Sequence, residues 1–185
     1  MAGDKRRPDG RLAALAEPGF RRFFLGYAVS LLGSSMATVA VAFAVLDNGG
    51  GGTELGGVAA ARILPIVLVL LVGGVVTDRV GARRVMLGSE VLRCGTQAAF
   101  AGVLLLPDPP VWAMAALVAI WGLGEGLFMP GLGALVPALV RDPSRLGDAN
   151  ALLGLARSVT SVAGPSVAGF VTAFWGAGPS SPWTP

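Results

Sequence analysis

Five ionisable side chains, Arg62, Glu90, Arg93, Glu125 and Arg157, stand inside long apolar runs, and a sixth, Asp78, sits beside Arg79 between two of those runs. A charge held in hydrocarbon is costly, so each such group must be neutralised, paired or turned towards water, and each is by default a functional candidate. Glu125 is the sharpest case. It is predicted about fourteen residues into its run, roughly 21 Å along a helix and near the middle of a bilayer. Low-dielectric surroundings disfavour the charged form of a carboxyl group, which suits a site that takes up and releases a proton or meets a substrate; the structural alternative is a neutral acid hydrogen-bonded to a neighbouring helix. Glu90, Arg93 and Gln97 fall at i, i+3 and i+7 and share one helix face, which predicts a structural ion pair, with snorkelling of Arg93 as the alternative. Arg62 and Arg157 are read as structural intramembrane charges that could pair with acids in spans outside this sequence, and their roles stay open.

Several chemistries are excluded. Cys94 is the lone cysteine and histidine is absent, so neither an internal disulfide nor a Cys/His zinc cluster can form. Triads with a histidine base are ruled out as well, and the apolar runs hold no pair of aspartates for intramembrane hydrolysis. The chain is therefore not expected to be an enzyme, and no metal or cofactor is called for. The net charge is only +3, so nucleic acid is not an expected partner.

The residues that must position these charges are apolar to an unusual degree. Hydrophobic types make up 54% of the 185 residues, too many for a soluble domain of this length, so the expected solvent is lipid. Crossing about 30 Å of hydrocarbon takes roughly 20 apolar residues, and five stretches qualify: about Phe23 to Leu46, Leu55 to Val76, Val85 to Leu106, Val111 to Leu139 and Ala151 to Trp175. The predicted fold class is all-α integral membrane. A polar, basic head at residues 1–22 precedes the bundle at 23–175, and an irregular tail, 176–185, follows it. The head and first run together have the look of a signal peptide, with "AFA" at 42–44 as a cleavage-like site. The apolar run is longer than a signal core, however, and four more follow it.

Arginine and lysine fix the expected orientation, because cytoplasmic loops retain positive charge. Lys5, Arg6, Arg7, Arg11, Arg21 and Arg22 in the head, Arg79, Arg83 and Arg84 after the second run, and Arg141 and Arg145 after the fourth would all lie on one side; residues 47–54 and 107–110 on the other side carry none. The N-terminus is predicted to be cytoplasmic, in a cell membrane. "GGVVTDRVGARRVM", residues 73–86, then becomes a cytoplasmic hairpin with a loop of about eight residues, 77–84. An odd number of spans suggests the front part of something longer.

Orientation explains the arginines of that hairpin but not Asp78, which can accept hydrogen bonds from a helix N-terminus or pair with a mobile arginine. "GVVTDRVGARR" resembles the loop 2-3 signature of the major facilitator superfamily, with Gly74, Asp78, Arg79, Gly81 and Arg83 at matching positions. Ala82 stands where a basic residue is usual, and Arg84 compensates. The resemblance implies an incomplete N-terminal six-helix half of a transporter. In it Asp78 and Arg79, supported by Gly74, Gly81, Arg83 and Arg84, form a cytoplasmic latch whose partner lies in the missing C-terminal half.

"NALLGLARSVTSVAGPSVAG", residues 150–169, is similar to the antiporter signature of span five in that family, through Gly154, Gly164, Pro165 and Gly169. Pro165 removes a backbone hydrogen bond and small residues allow close helix approach. "GEGLFMPGLGALVPALV" and "ELGGVAAARILPIVLVLLVGG" resemble a branch of drug and siderophore exporters. Many family antiporters carry an arginine in span four that matters for proton coupling; this chain has Glu125 in that span instead. Gly122 and Gly126 are predicted as a GxxxG contact surface. Ser30, Ser34 and Thr38 form a mild polar stripe that either packs helices or lines a cavity. The expected function is export of small amphipathic compounds, drug-like or siderophore-like, in exchange for protons and by alternating access. The partners are then that small-molecule substrate, protons and the lipid bilayer. The alternative is a helical membrane scaffold or assembly partner that associates through its glycine surfaces.

Overall fold

The computed structural model describes residues 13–106 and 109–175. The basic cluster at the start of the head and the tail 176–185 lie outside the described residues. Among the described residues there are five α-helices and no strand: α1 (Pro18–Asp47), α2 (Gly52–Val80), α3 (Ala82–Val103), α4 (Val111–Leu139) and α5 (Leu146–Trp175). By internal packing the chain divides into two units, Ala40–Leu135 and Met1–Val39 with Val136–Pro185.

Local chemistry sets the ends. Pro18 opens α1, where its fixed φ and missing N–H cost nothing. The glycine run ends α1, and the Glu54 carboxylate then accepts the Gly51 N–H at 2.8 Å as α2 begins. Before α5, Asp142 accepts from the Ser144 N–H at 3.0 Å and the Ser144 hydroxyl at 2.6 Å. Within the first unit, Asn48 Nδ2 donates to the Pro109 carbonyl at 3.0 Å, joining the α1–α2 and α3–α4 connections at one end of that unit.

The loop expected at 77–84 is not a loop. Helix α2 runs on to Val80 and α3 starts at Ala82, leaving Gly81 alone between them. Its N–H donates to the Thr77 carbonyl at 2.9 Å, and its own carbonyl accepts from the Arg84 and Val85 N–H groups at 3.1 Å each. One residue closes one helix and opens the next, at φ 92° and ψ 134°, which glycine adopts without the clash a Cβ introduces. Gly81→Ala is expected to destabilise the chain by roughly 1–3 kcal/mol, measured as a lower unfolding midpoint in detergent titration.

Three helices, α1, α2 and α4, are long and apolar enough on their own to cross a membrane. The other two are also long; α3, at 22 residues, reaches about 33 Å. Their apolar character is diluted, in α3 by Arg83, Arg84, Ser89, Glu90, Arg93, Thr96 and Gln97, and in α5 by Asp148, Arg157 and a series of serines and threonines.

Glycines on α4 set the packing of the first unit. A Cβ at Gly122 would collide with the Arg62 carbonyl, and one at Gly126 would stand 3.0 Å from the Ile66 carbonyl oxygen; Pro130 lies against Gly73 in turn, 2.9 Å from where a Cβ would be. Position rises together on both helices, so α2 and α4 run parallel. Towards α3, Gly124 meets Arg93 and Ser89, while Gly131 meets Met86 and Ala82, the reverse order that marks an antiparallel neighbour. The predicted GxxxG surface is thus a contact inside the chain. In the second unit α1 and α5 also run parallel: Tyr27 meets Arg157, and Ser35 donates to the Thr160 carbonyl at 2.9 Å beside Gly164.

Candidate functional site

Glu125 is the middle residue of the 29-residue α4, and Arg62 lies on the parallel α2 one helical turn from that helix's own middle. The glycine contact at Gly122 brings the two backbones close enough for their side chains to meet. Arg62 Nη2 donates to Glu125 Oε2 at 2.8 Å and Arg62 Nε donates to the same oxygen at 3.1 Å. Glu125 Oε1 accepts no hydrogen bond among the described residues. Arg62 therefore meets an acid within this sequence. Sequence spacing gave no sign of the pair because it is a cross-helix contact; the available signal was opposite charge at similar depth on two spans of the same direction.

The guanidinium of Arg62 also lies over the Trp121 ring, 4.1 Å from its centroid. Trp121 precedes Glu125 by four residues and shares its face. A cation on an indole face contributes about 0.5 to 2 kcal/mol, more as water is excluded. Arg62 and Glu125 side chains are 23% and 30% exposed, whereas Trp121 is 3% exposed. Its Nε1–H is buried with no acceptor among the described residues, an arrangement that costs about 1–3 kcal/mol. Sequence analysis missed Trp121, though its i–4 spacing from Glu125 was visible.

Glu90 and Arg93 meet on α3, Arg93 Nη1 donating to Glu90 Oε2 at 3.0 Å. Arg93 is 6% exposed, its stem against Gly124 and its guanidinium 5.3 Å from the Phe128 centroid. This cation is buried under α4 rather than snorkelling to water. Arg157 donates through its Nε to the Tyr27 hydroxyl at 2.6 Å.

The hairpin residues are placed differently. Asp78, Arg79, Arg83 and Arg84 are exposed, and their side chains make no hydrogen bond or ion pair among the described residues. Gly74 faces open space, and its neighbour Gly73 makes the close contact. On α5, a Cβ at Gly164 would collide with Ser35, while Gly154 and Gly169 have nothing within 4 Å of a Cβ position and Pro165 is exposed. Of the polar stripe, Thr38 donates back to the Ser34 carbonyl at 2.9 Å, a bond inside one helix.

Known proteins can be set beside this geometry. The chain is 24% identical over 156 residues to macrolide efflux protein A of Streptococcus pyogenes, an alignment covering 84% of this chain and 38% of that protein. It is 27% identical over 148 residues to the multidrug efflux pump Tap of Mycolicibacterium fortuitum, covering 78% of this chain and 36% of the pump. The chain thus spans less than two fifths of the length of these curated relatives. No solved structure is matched. The family model for the Major Facilitator Superfamily matches residues 23–184, most of the chain, and with five helices of this apolar character the conclusion is that the chain belongs to that superfamily of multi-pass membrane transporters.

Proposed function

We propose that this chain is the N-terminal part of a secondary active exporter, which moves small amphipathic compounds out of the cell in exchange for protons. The observation that carries this reading is the Arg62–Glu125 pair, set at the middle of an apolar helix, with Glu125 Oε1 accepting no hydrogen bond among the described residues. An ion pair there is costly to desolvate and is a weak source of stability, so its presence favours a site that changes protonation. Glu125 takes up a proton at Oε1 on one side of the membrane and releases it on the other, while the two halves rock about a central substrate path. The names of the two relatives, a macrolide efflux protein and a multidrug efflux pump, support export and an amphipathic, drug-like or siderophore-like cargo.

Asp78 and Arg79, presented by the Gly81 turn with Arg83 and Arg84 beside them, form one side of a cytoplasmic latch. Their exposure, without partners among the described residues, supports a contact made in one conformation with the C-terminal half. In this reading the N-terminus is cytoplasmic and the protein resides in the cell membrane. The Gly122 and Gly126 surface that a scaffold would use for assembly is already occupied by α2, which favours the transporter.

The test is compound efflux in everted vesicles carrying the full-length transporter, with an imposed proton gradient. Glu125→Gln is expected to abolish gradient-driven efflux, and Asp78→Asn to slow it severely with the protein still inserted. Unchanged efflux in both variants overturns the assignment.

A further inference from the structure

In the second unit, the start of α1 is fastened to the connection between α4 and α5. A Cβ at Gly19 would stand 3.6 Å from Leu139, an ordinary contact. Glu17, just ahead of α1, accepts the Arg141 N–H at 3.3 Å. The turn Ala13–Ala16 packs on α5, and Ala14, Phe20 and Ala149 are fully buried.

Arg21, Arg22 and Arg141 stand on this fastened end. All three are exposed, and their side chains make no hydrogen bond or ion pair among the described residues. The described acids of the same end each serve the fold. Glu17 holds the Arg141 N–H, and Asp142 accepts from Ser144 and lies 3.5 Å from Arg145. Asp148 stands in the first turn of α5, where the helix dipole favours a carboxylate. Arg21 and Arg22 occupy the start of α1, where the same dipole disfavours a cation, so they are not there to stabilise the helix. Retention of positive charge on one side of the membrane explains why arginines are present at this end. It does not require that the acids be used within the fold and the arginines be turned out of it.

We propose that Arg21, Arg22 and Arg141 form a docking surface for the headgroups of anionic phospholipids. Their level fits. The apolar run of α1 begins at Phe23, directly after Arg21 and Arg22, and Arg141 directly follows Leu139 and Val140. The guanidinium groups therefore stand where hydrocarbon gives way to phosphate, with their stems along apolar surface. A guanidinium forks two N–H groups onto one phosphate, which suits arginine at all three positions. A basic cluster directly beside a spanning helix is attracted to an anionic leaflet, and Lys5, Arg6, Arg7 and Arg11 extend that cluster in the sequence ahead of α1. The surface is independent of cargo and of proton exchange.

The experiment follows thermal unfolding of the purified chain in maltoside micelles with added phosphatidylglycerol, phosphatidylcholine or inorganic phosphate. Insertion is already complete, so any role of the arginines in orientation does not enter. The unfolding midpoint is expected to rise with phosphatidylglycerol, which binds the folded state, and not with the other two. The triple variant Arg21→Gln, Arg22→Gln, Arg141→Gln is expected to lose at least about tenfold in apparent affinity for phosphatidylglycerol, read from the dependence of the midpoint on its amount. Its midpoint without that lipid should match the parent, since the three side chains hold nothing within the fold. Lysine at the same positions keeps the charge and should restore part of the affinity. Arg79→Gln, Arg83→Gln, Arg84→Gln removes equal charge at the Gly81 turn and should keep most of it. The docking surface is wrong if phosphatidylglycerol gives no rise, or if inorganic phosphate raises the midpoint as far. Equal losses of affinity in the two glutamine variants would reduce it to diffuse attraction, and a first variant destabilised alike with and without the lipid would reduce it to packing.

Discussion

Gly122→Ala is expected to destabilise the chain by about 1–3 kcal/mol, and Gly122→Val by more, although each replaces glycine with a residue better suited to helix or to lipid. The new Cβ would collide with the carbonyl of Arg62, and a backbone oxygen cannot swing aside as a side-chain tip can. Relief requires α2 to move away from α4 at the residue that carries the ion pair. The same variant should therefore weaken the Arg62–Glu125 contact as well as the fold. Gly133→Ala, on the same helix with nothing within 4 Å of its Cβ position, is the control; it is expected to be neutral or to stabilise by about 0.5–1 kcal/mol, because alanine loses less backbone entropy. Reversible unfolding in mixed detergent micelles measures both. Equal midpoints for the two variants would mean that the glycine seam does not set the approach of α2 and α4.

The elements were legible because lipid imposes its pattern on every turn of a spanning helix, and an apolar run of sufficient length has few other uses. The ends were less so. Arg83 and Arg84 read as loop residues by charge, yet charge at a membrane boundary does not break a helix, and α2 and α3 continue through it to either side of Gly81. Glu90 and Arg93 were legible as neighbours because they share one helix face. Arg62 with Glu125, and Arg157 with Tyr27, were not, since each joins helices far apart in sequence. Depth along a span carried part of that information: charges of opposite sign at similar height on spans of the same direction are candidates to meet. Which helices are adjacent is decided by glycine seams such as Gly122 and Gly126, and a seam shows a close approach without naming its partner. The roles of Gly74, Gly154 and Gly169, read from resemblance, depend on surfaces that this chain leaves open.

Breaking the Arg62–Glu125 pair from either side is expected to cost far more than removing it whole. Arg62→Met leaves a carboxylate without a donor among the described residues, and Glu125→Leu removes the carboxylate that the Arg62 guanidinium faces; each should cost about 3 kcal/mol or more, because a charge loses its counter-charge in an apolar setting. The double variant Arg62→Met, Glu125→Leu strands neither charge and is expected to unfold within about 1 kcal/mol of the parent, a coupling that a double-mutant cycle reads directly. The two single variants should also differ in kind. A stranded carboxylate can neutralise itself by binding a proton, so the penalty of Arg62→Met should shrink as pH falls. An arginine does not release its proton in this way, so the penalty of Glu125→Leu should stay level across the same range. Penalties that add in the double variant, or that change alike with pH, would mean that the pair is not closed in the folded chain. A pair that adds little net stability yet is costly to break from one side holds two helices in register.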